Sequence, residues 1–366
     1  MGDEVRYMAD AVARGWISGD GEYTRRCHDL LRRELGSRAV FLTTSCTHAL
    51  ELSAILLDFG PGDEVILPSF TFVSTANAFV LRGARPVFID VRPDTLNLDE
   101  RLLEENIGPR TRAIVPVHYA GVGCAMEEIN RIAADKGVAV IEDNAHGLFG
   151  KRAGRFLGTW GALATLSFHE TKNFTCGEGG ALLVNDEQYV ERAEIVREKG
   201  TNRKRFFRGE VDKYTWVDIG SSYLPSDLLA AYLLAQLEAK AKILAARRNV
   251  YERYERGLAD WAAGCGAQLP VIPADCESSY HMFFVVMPTA ESRTRLISHL
   301  KSRDIQAVFH YLPLHLSAMG QRWGGRAGQC PVTESVSERL VRLPFYTELD
   351  EIDQDRVIEA VRSVPV

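Results

Sequence analysis

The sequence predicts an α/β fold in which helices cover both faces of a mostly parallel, mixed sheet, giving a three-layer large domain followed by a smaller C-terminal α/β domain. Three observations lead there. Short apolar, strand-like runs alternate with amphipathic helical runs through the first half of the chain. Turn-forming residues separate those runs. The 366 residues exceed the ~250–300 that one core usually organises, which divides the chain into a larger domain over 1–240 and a smaller one over 241–366.

Residues Glu4 to Arg14 have helical spacing that Gly15, Gly19 and Gly21 interrupt, so a mobile loop is expected there. Helical spacing resumes over Tyr23 to Leu35. Ala39 to Leu42 reads as a brief buried strand and Thr47 to Leu57 as the helix after it. The first free amides of that helix suit an anion, although capping by Ser45 or Thr47 is the simpler local account. EVILPSFTFVSTANAFVLRG supplies a strand, a polar connection and a helix; RPVFIDV is another strand and DTLNLDERLLEENI a capped helix. TRAIVPVHYAG, MEEINRIAADKG and VAVIEDNAHG repeat the order, ending in a strand and loop that carry Asp143 and His146.

Next comes LSFHETKNFTCGEGGAL, Leu166 to Leu182. Ala162 to Phe168 reads as a short buried strand, and Gly177, Gly179 and Gly180 permit tight turns and close backbone approach. Lys172 therefore sits at the edge of a cleft. The spacing alone leaves three roles open for it: a Schiff-base amine, a phosphate ligand or an exposed charge. DEQYVERAEIVREKG is a polar helix, and TNRKRFFRGEVDKYTWVDIGSSYLPS is long enough to be a functional excursion. Leu228 to Tyr254 is helical, with Arg247 and Arg248 marking a solvated face. HMFFVVMP, ESRTRLISHLKSRD and QAVFHYLPLH suggest the small α/β domain; Gly320 to Gln329 is a glycine-rich loop, and SVSERLVRL and DEIDQDRVIEAVRS are helix-forming.

Composition removes several function classes. A formal charge of −6 gives no electrostatic reason to expect nucleic acid or an anionic membrane as partner. The cysteines Cys27, Cys46, Cys124, Cys176, Cys265, Cys276 and Cys330 are scattered without a C-x-x-C pair, which argues for reduced thiols in the cytoplasm and against a zinc module or other metal site. No signal segment opens the chain, and no run reaches ~18 consecutive apolar residues.

Several separated segments, GDGEYTRRC, PSFTFVSTANAFVLRGA, PVHYAGV, SFHETKN and FFRGEVDKYTWVDIGSSY, occur in one order. With their neighbours, from about residue 18 to residue 348, they resemble the pyridoxal-phosphate-dependent sugar aminotransferases of the DegT/DnrJ/StrS type, in the aspartate aminotransferase superfamily (fold type I). They look most like the branch acting at C4 of nucleotide-linked 4-keto-6-deoxyhexoses, which includes dTDP-4-amino-4,6-dideoxygalactose transaminase. The resemblance implies pyridoxal 5′-phosphate as cofactor, a dTDP-4-keto-6-deoxyhexose and L-glutamate as substrates, and a homodimer with shared active sites. Amination at C3 is the nearest alternative, because the cofactor motifs do not read carbon position. A sugar dehydratase fits less well, since those enzymes carry histidine where this chain has Lys172, and a non-enzymatic regulator lacks an attached DNA-binding module.

The same resemblance implies roles residue by residue. Lys172 would carry the cofactor and then move the proton. Asp143 would meet the pyridinium nitrogen, though locally it reads equally as a strand-end turn carboxylate. His146 would lie near the phenolic side or ring face. Cys46, Thr47 and the Ser167 hydroxyl would sit at the phosphate, and Phe72 would stack on the ring, where local reading alone makes it a core residue. GSSYLPSD departs from the G-Y-N-x-R-M pattern of the wider family. Ser222 could replace part of the asparagine contact to the neighbouring subunit's phosphate, but Leu224 cannot replace arginine. Asn202, Arg203, Arg205, Phe206, Phe207 and Arg208 would meet the nucleotide or the opposite subunit, the alternative being a solvent-facing loop. His310, Tyr311 and His315 would close the sugar or amino-acid pocket, or form a structural turn. Axial or equatorial amine, and polysaccharide or natural-product pathway, stay open.

Overall fold

In the computed structural model, which describes residues 2–364, the alternating runs build twelve strands. These are β1 (Ala39–Thr43), β2 (Glu64–Pro68), β3 (Arg85–Ile89), β4 (Thr111–Ile114), β5 (Ala139–Asp143), β6 (Lys151–Arg152), β7 (Arg155–Phe156), β8 (Leu163–Ser167), β9 (Gly180–Val184), β10 (Cys276–Glu277), β11 (Phe284–Val286) and β12 (Leu340–Arg342). Seven of them form one sheet in the order β1-β9-β8-β5-β4-β2-β3. β9 runs antiparallel to both of its neighbours, and the remaining pairings are parallel.

Burial on both faces explains the nearly continuous apolar runs of these strands. Along β2, Val65 and Leu67 point into a core with Leu52, Leu56, Phe59 and Phe79, whereas Ile66 joins Ile114, Ile129 and Ile132 on the other face. At the β1–β9–β8 end, Leu42, Leu166 and Leu183 pack against Leu31 and Leu234 of the helices Glu22–Leu35 and Asp227–Glu238. A fourth core forms where β11 and β12, paired antiparallel, meet the helices Lys240–Cys265, Ala290–Lys301 and Glu351–Arg362 through Tyr254, Leu258, Phe283, Leu296 and Val361. A fifth group, including Phe70, Tyr119, Phe284 and Leu340, joins this part to the large sheet. No helix among the described residues is long and apolar enough to cross a membrane.

Four local expectations need correction. DTLNLDERLLEENI forms only the turn Glu100–Leu102 and the single helical turn Leu103–Asn106. The backbone is drawn elsewhere: Leu96 is left-handed, and the buried Asn97 donates to the Val122 carbonyl and accepts from the Tyr119 amide. SVSERLVRL is helical only to Arg339, because Leu340 and Val341 pair with Val286 and Val285 as β12. QAVFHYLPLH holds a single bridge, Val308 to Arg342, and reaches φ 39° at Tyr311. The glycine-rich segment at 15–21 is tied down by Asp20, which pairs with Arg197 at 2.8 Å, and by the Asp227 amide, which donates to the Ile17 carbonyl.

Candidate active site

β8 and β9 are consecutive antiparallel strands, so the loop between them closes as a hairpin. Phe168 donates to the Gly179 carbonyl and Glu170 to that of Gly177, and Gly177 takes φ 85°, which few other residues adopt. Lys172 sits on this loop. The residue as a whole is half-buried, and its amine has no hydrogen-bond or ion-pair partner among the described residues. Burial pushes it down to about 8; Cys46 and Asp143 oppose that, and the Arg342 guanidinium adds to it.

The helix Cys46–Leu56 begins beside the hairpin. Ser45 is its N-cap, accepting from the His48 amide at 3.1 Å, which leaves the amides of Cys46 and Thr47 open. Gly180 makes this approach possible, since a Cβ there would lie 2.3 Å from the Ser45 carbonyl carbon and 2.4 Å from the Cys46 amide. Ser167 is the register partner of Gly180, and its hydroxyl has no partner among the described residues. Thr47 Oγ1 lies 2.8 Å from Ser74 Oγ. Open amides and hydroxyls at a helix start form an anion site.

Asp143 ends β5, one strand over from β8, with Thr165 as register partner; the Cys46 thiol reaches Thr165 Oγ1 at 3.5 Å. The Asp143 carboxylate is buried and accepts from Thr75 Oγ1 at 2.8 Å and from the Ala145 amide at 3.2 Å. Burial pushes its pKa up, and the Thr75 hydrogen bond, the Ala145 amide and the Lys172 charge draw it back. A carboxylate so placed can accept from a protonated ring nitrogen.

Aromatic and imidazole rings line the rest. His146 stacks on His281 with centroids 4.1 Å apart, and His281 faces Asn173, the residue after Lys172, at 2.9 Å. Burial holds both imidazoles well below their ordinary range, hence uncharged; Lys172 adds to this at His146, as His146 does at His281. His146 Nδ1 is buried without a partner. His310 faces the Tyr119 hydroxyl at 2.7 Å and stacks on Tyr311 at 3.6 Å. Phe72 is 57% exposed, which overturns the local expectation of a core residue; its ring lies 6.4 Å from that of Tyr311.

Other expected residues are not drawn into this cluster. His315 is buried, with one ring nitrogen 2.6 Å from Ser69 Oγ and the other 3.0 Å from Glu334. Ser222 is exposed and bridges Glu198 through its backbone. Asn202 accepts from the Thr215 amide. Arg203 pairs with Glu198, Arg205 with Glu191 and Glu210, and Arg208 with Glu194 and Glu210. Phe206 and Phe207 are exposed beside them. Those guanidiniums are already matched by carboxylates within one chain.

Four residues of the cluster were not singled out from sequence: Thr75, Tyr119, His281 and Arg342. Thr75 and Tyr119 stand inside TFVSTANA and PVHYAGV but carry no local mark. Arg342 does carry one, a lone charge between Val341 and Leu343 that is out of place on a strand facing a core.

Residues 2–362 match the model of the DegT/DnrJ/EryC1/StrS aminotransferase family. The chain is 30% identical to the spore coat polysaccharide biosynthesis protein SpsC of Bacillus subtilis, over 99% of its own length and 94% of that protein. It is 33% identical to the aminotransferase TlmJ from Streptoalloteichus hindustanus, with a TM-score of 0.91 over 99% of this chain and 96% of that one. The PMP form of the putative sugar aminotransferase Spr1654 from Streptococcus pneumoniae superposes with a TM-score of 0.92 at 26% identity, over 98% of this chain and 96% of that one. With a family match that spans nearly its whole length and an α/β architecture shared with these structures, the chain belongs to the DegT/DnrJ/EryC1/StrS aminotransferase family.

Proposed function

We propose that this chain is a pyridoxal-phosphate-dependent aminotransferase that converts a dTDP-4-keto-6-deoxyhexose to its 4-amino-4,6-dideoxy form, with L-glutamate as donor. We take it to act as a cytoplasmic homodimer with shared sites and a domain division near residue 240. The observation that carries the reading is the unpartnered Lys172 amine within charge range of the buried Asp143 carboxylate.

The residues present fit the cofactor. The Cys46 and Thr47 amides and the Ser167 hydroxyl would hold its phosphate, Asp143 would accept from its ring nitrogen, and the orphaned His146 Nδ1 would gain a partner. When bound, pyridoxal phosphate supplies the electron sink for ionising a C–H bond beside nitrogen. Lys172 Nζ, uncharged in an appreciable fraction near neutral pH, takes the proton from the donor's α-carbon and in the second half of the cycle delivers one to sugar C4. Thr75 and the Ala145 amide favour the charged form of the Asp143 carboxylate, against its burial, and aim it. Because His146 and His281 stay uncharged, they do not compete for it. The similarity to Spr1654 in its PMP and PLP forms supports the cofactor and a sugar acceptor. For the homodimer, support comes from the exposed Phe207, Tyr214 and Trp216 on the 201–225 excursion, an apolar surface a second copy would cover.

Incubation with 3-keto and 4-keto dTDP-6-deoxysugars and L-glutamate, followed by product NMR, tests the assignment. A 4-amino product is expected; exclusive amination at C3 would overturn it.

A further inference from the structure

The Lys172 amine has no partner among the described residues, so its aim depends on how the backbone beside it is held. On one side its own amide donates to the His169 carbonyl at 2.9 Å. On the other stands the buried Asn173, and both ends of that side-chain amide are engaged by the segment 278–281, which precedes β11. Nδ2 donates to the Ser279 carbonyl at 2.6 Å, and Oδ1 lies 2.9 Å from His281 Nδ1. A carbonyl only accepts, which fixes the orientation of the amide; Oδ1 must then accept as well, so His281 carries its proton on Nδ1.

The same four residues gather the other strand-end loops. After β4, the Gly121 carbonyl accepts from the Ser279 amide at 3.1 Å. After β5, the His146 carbonyl accepts from Ser279 Oγ at 2.5 Å, and the His146 ring stacks on that of His281. Arg247 holds the segment from behind. Helical spacing puts it with Arg248 on a solvated face, and Arg248 is indeed exposed and pairs with Glu252, but Arg247 turns inward and is buried. Its Nε donates to the Tyr280 carbonyl at 2.9 Å and its Nη2 to that of His281 at 2.6 Å, while Tyr280 takes the left-handed φ of 53°. A buried cation committed to two consecutive carbonyls fixes the path of the chain there.

We infer that His281, held in place by Arg247, is a positioning residue for Lys172: by donating to Asn173 it fixes the loop so that the amine meets the carbon whose proton it moves. The inference rests on the aminotransferase reading but not on the choice of sugar. Proton transfer needs the reacting atoms aligned and about 3–3.5 Å apart, and a misplacement of about 1 Å costs on the order of a hundredfold in rate. A lysine aimed only through its backbone is exposed to that loss. Because Lys172 acts in both half-reactions, a loosened loop slows both.

The test compares wild-type, His281→Phe, His281→Asn and Asn173→Ala holoenzymes in the half-reaction with L-glutamate and with its α-deuterated form, followed by absorbance. His281→Phe keeps a flat ring against His146 but has no donor for Asn173; His281→Asn has no ring, but its amide nitrogen restores the donor. His281→Phe and Asn173→Ala should each slow the half-reaction by roughly ten- to a hundredfold and enlarge the deuterium isotope effect, with the apparent affinity for glutamate changed by less than about threefold. His281→Asn should recover most of the rate, and the double variant His281→Phe/Asn173→Ala should be no slower than either single one. As a readout besides turnover, hydrogen exchange of the peptide carrying Lys172 should quicken in His281→Phe and Asn173→Ala and return toward wild type in His281→Asn. A His281→Asn variant as slow as His281→Phe, an unchanged isotope effect, or additive losses in the double variant would overturn the inference. If His281→Phe does not fold, Asn173→Ala, which only shortens a side chain, decides the matter: a wild-type rate there overturns it. If wild type reacts with no amino acid at all, the aminotransferase reading fails instead, and hydrogen exchange still reports whether His281 holds the loop.

Discussion

The basicity of Lys172 can be measured directly, and its neighbours fix the sign of every perturbation. A solvated lysine titrates near 10.4, whereas burial brings Lys172 to about 8. At pH 7.5 roughly a quarter of the population is then uncharged, against roughly 0.1% for a solvated lysine, a ratio of about 200. Competitive labelling of the apoprotein with trace fluorodinitrobenzene between pH 6 and 11, read by mass spectrometry of the Lys172 peptide, should give a midpoint near 8. Arg342→Gln removes a cation and should raise that midpoint, while Asp143→Asn removes a carboxylate and should lower it, each by on the order of one pH unit. Stability follows by linkage. Between about pH 8 and pH 10.4 the unfolded chain binds more protons at this site than the folded one, so Lys172 makes stability rise with pH across that window. Lys172→Met should flatten that part of the profile. A labelling midpoint near 10.4, or both substitutions moving it in one direction, would refute the electrostatic account.

Three further outcomes are expected. Thr75→Val removes the hydroxyl that donates to Asp143 at 2.8 Å and leaves a buried carboxylate short of a donor; cofactor retention on dialysis should fall by roughly tenfold, and urea unfolding of the apoprotein should show a loss of about 1–3 kcal/mol. Gly180→Ala forces a methyl into the start of the helix Cys46–Leu56, so both the melting temperature and the affinity for pyridoxal phosphate should drop; a wild-type phosphate affinity would argue against the helix start as the anion site. Asp227→Ala strips acceptors from the Tyr23 amide and from the Thr24 amide and hydroxyl, and should destabilise the chain by about 2–3 kcal/mol in urea unfolding.

Repetition made the large sheet legible. Each apolar run bounded by turn residues became a strand, and the strand-end loops placed Asp143, Lys172 and the helix after β1 on one side of the sheet. What the order of residues could not convey was convergence across long separations. Thr75 reaches Asp143 and Tyr119 reaches His310 only because parallel strands and the smaller core bring them together. Phe72 looked apolar and therefore buried, yet it caps the helix Val73–Val80 at an exposed edge. His315 shares its segment with His310 and Tyr311, but the left-handed turn at Tyr311 precedes its engagement with Ser69 and Glu334. The helix pattern in SVSERLVRL ran through Arg342 because a three-residue strand is too short to impose its own periodicity.

The hairpin that carries Lys172 has a consequence for how the chain acquires reactivity. β8 and β9 are neighbours in sequence and can pair without waiting for distant contacts. β12, with Arg342, enters the cluster from near the C-terminus, after most of the chain has been made. The loop that carries the lysine can therefore form from local contacts, whereas the long-range packing around it waits for residues far along the chain.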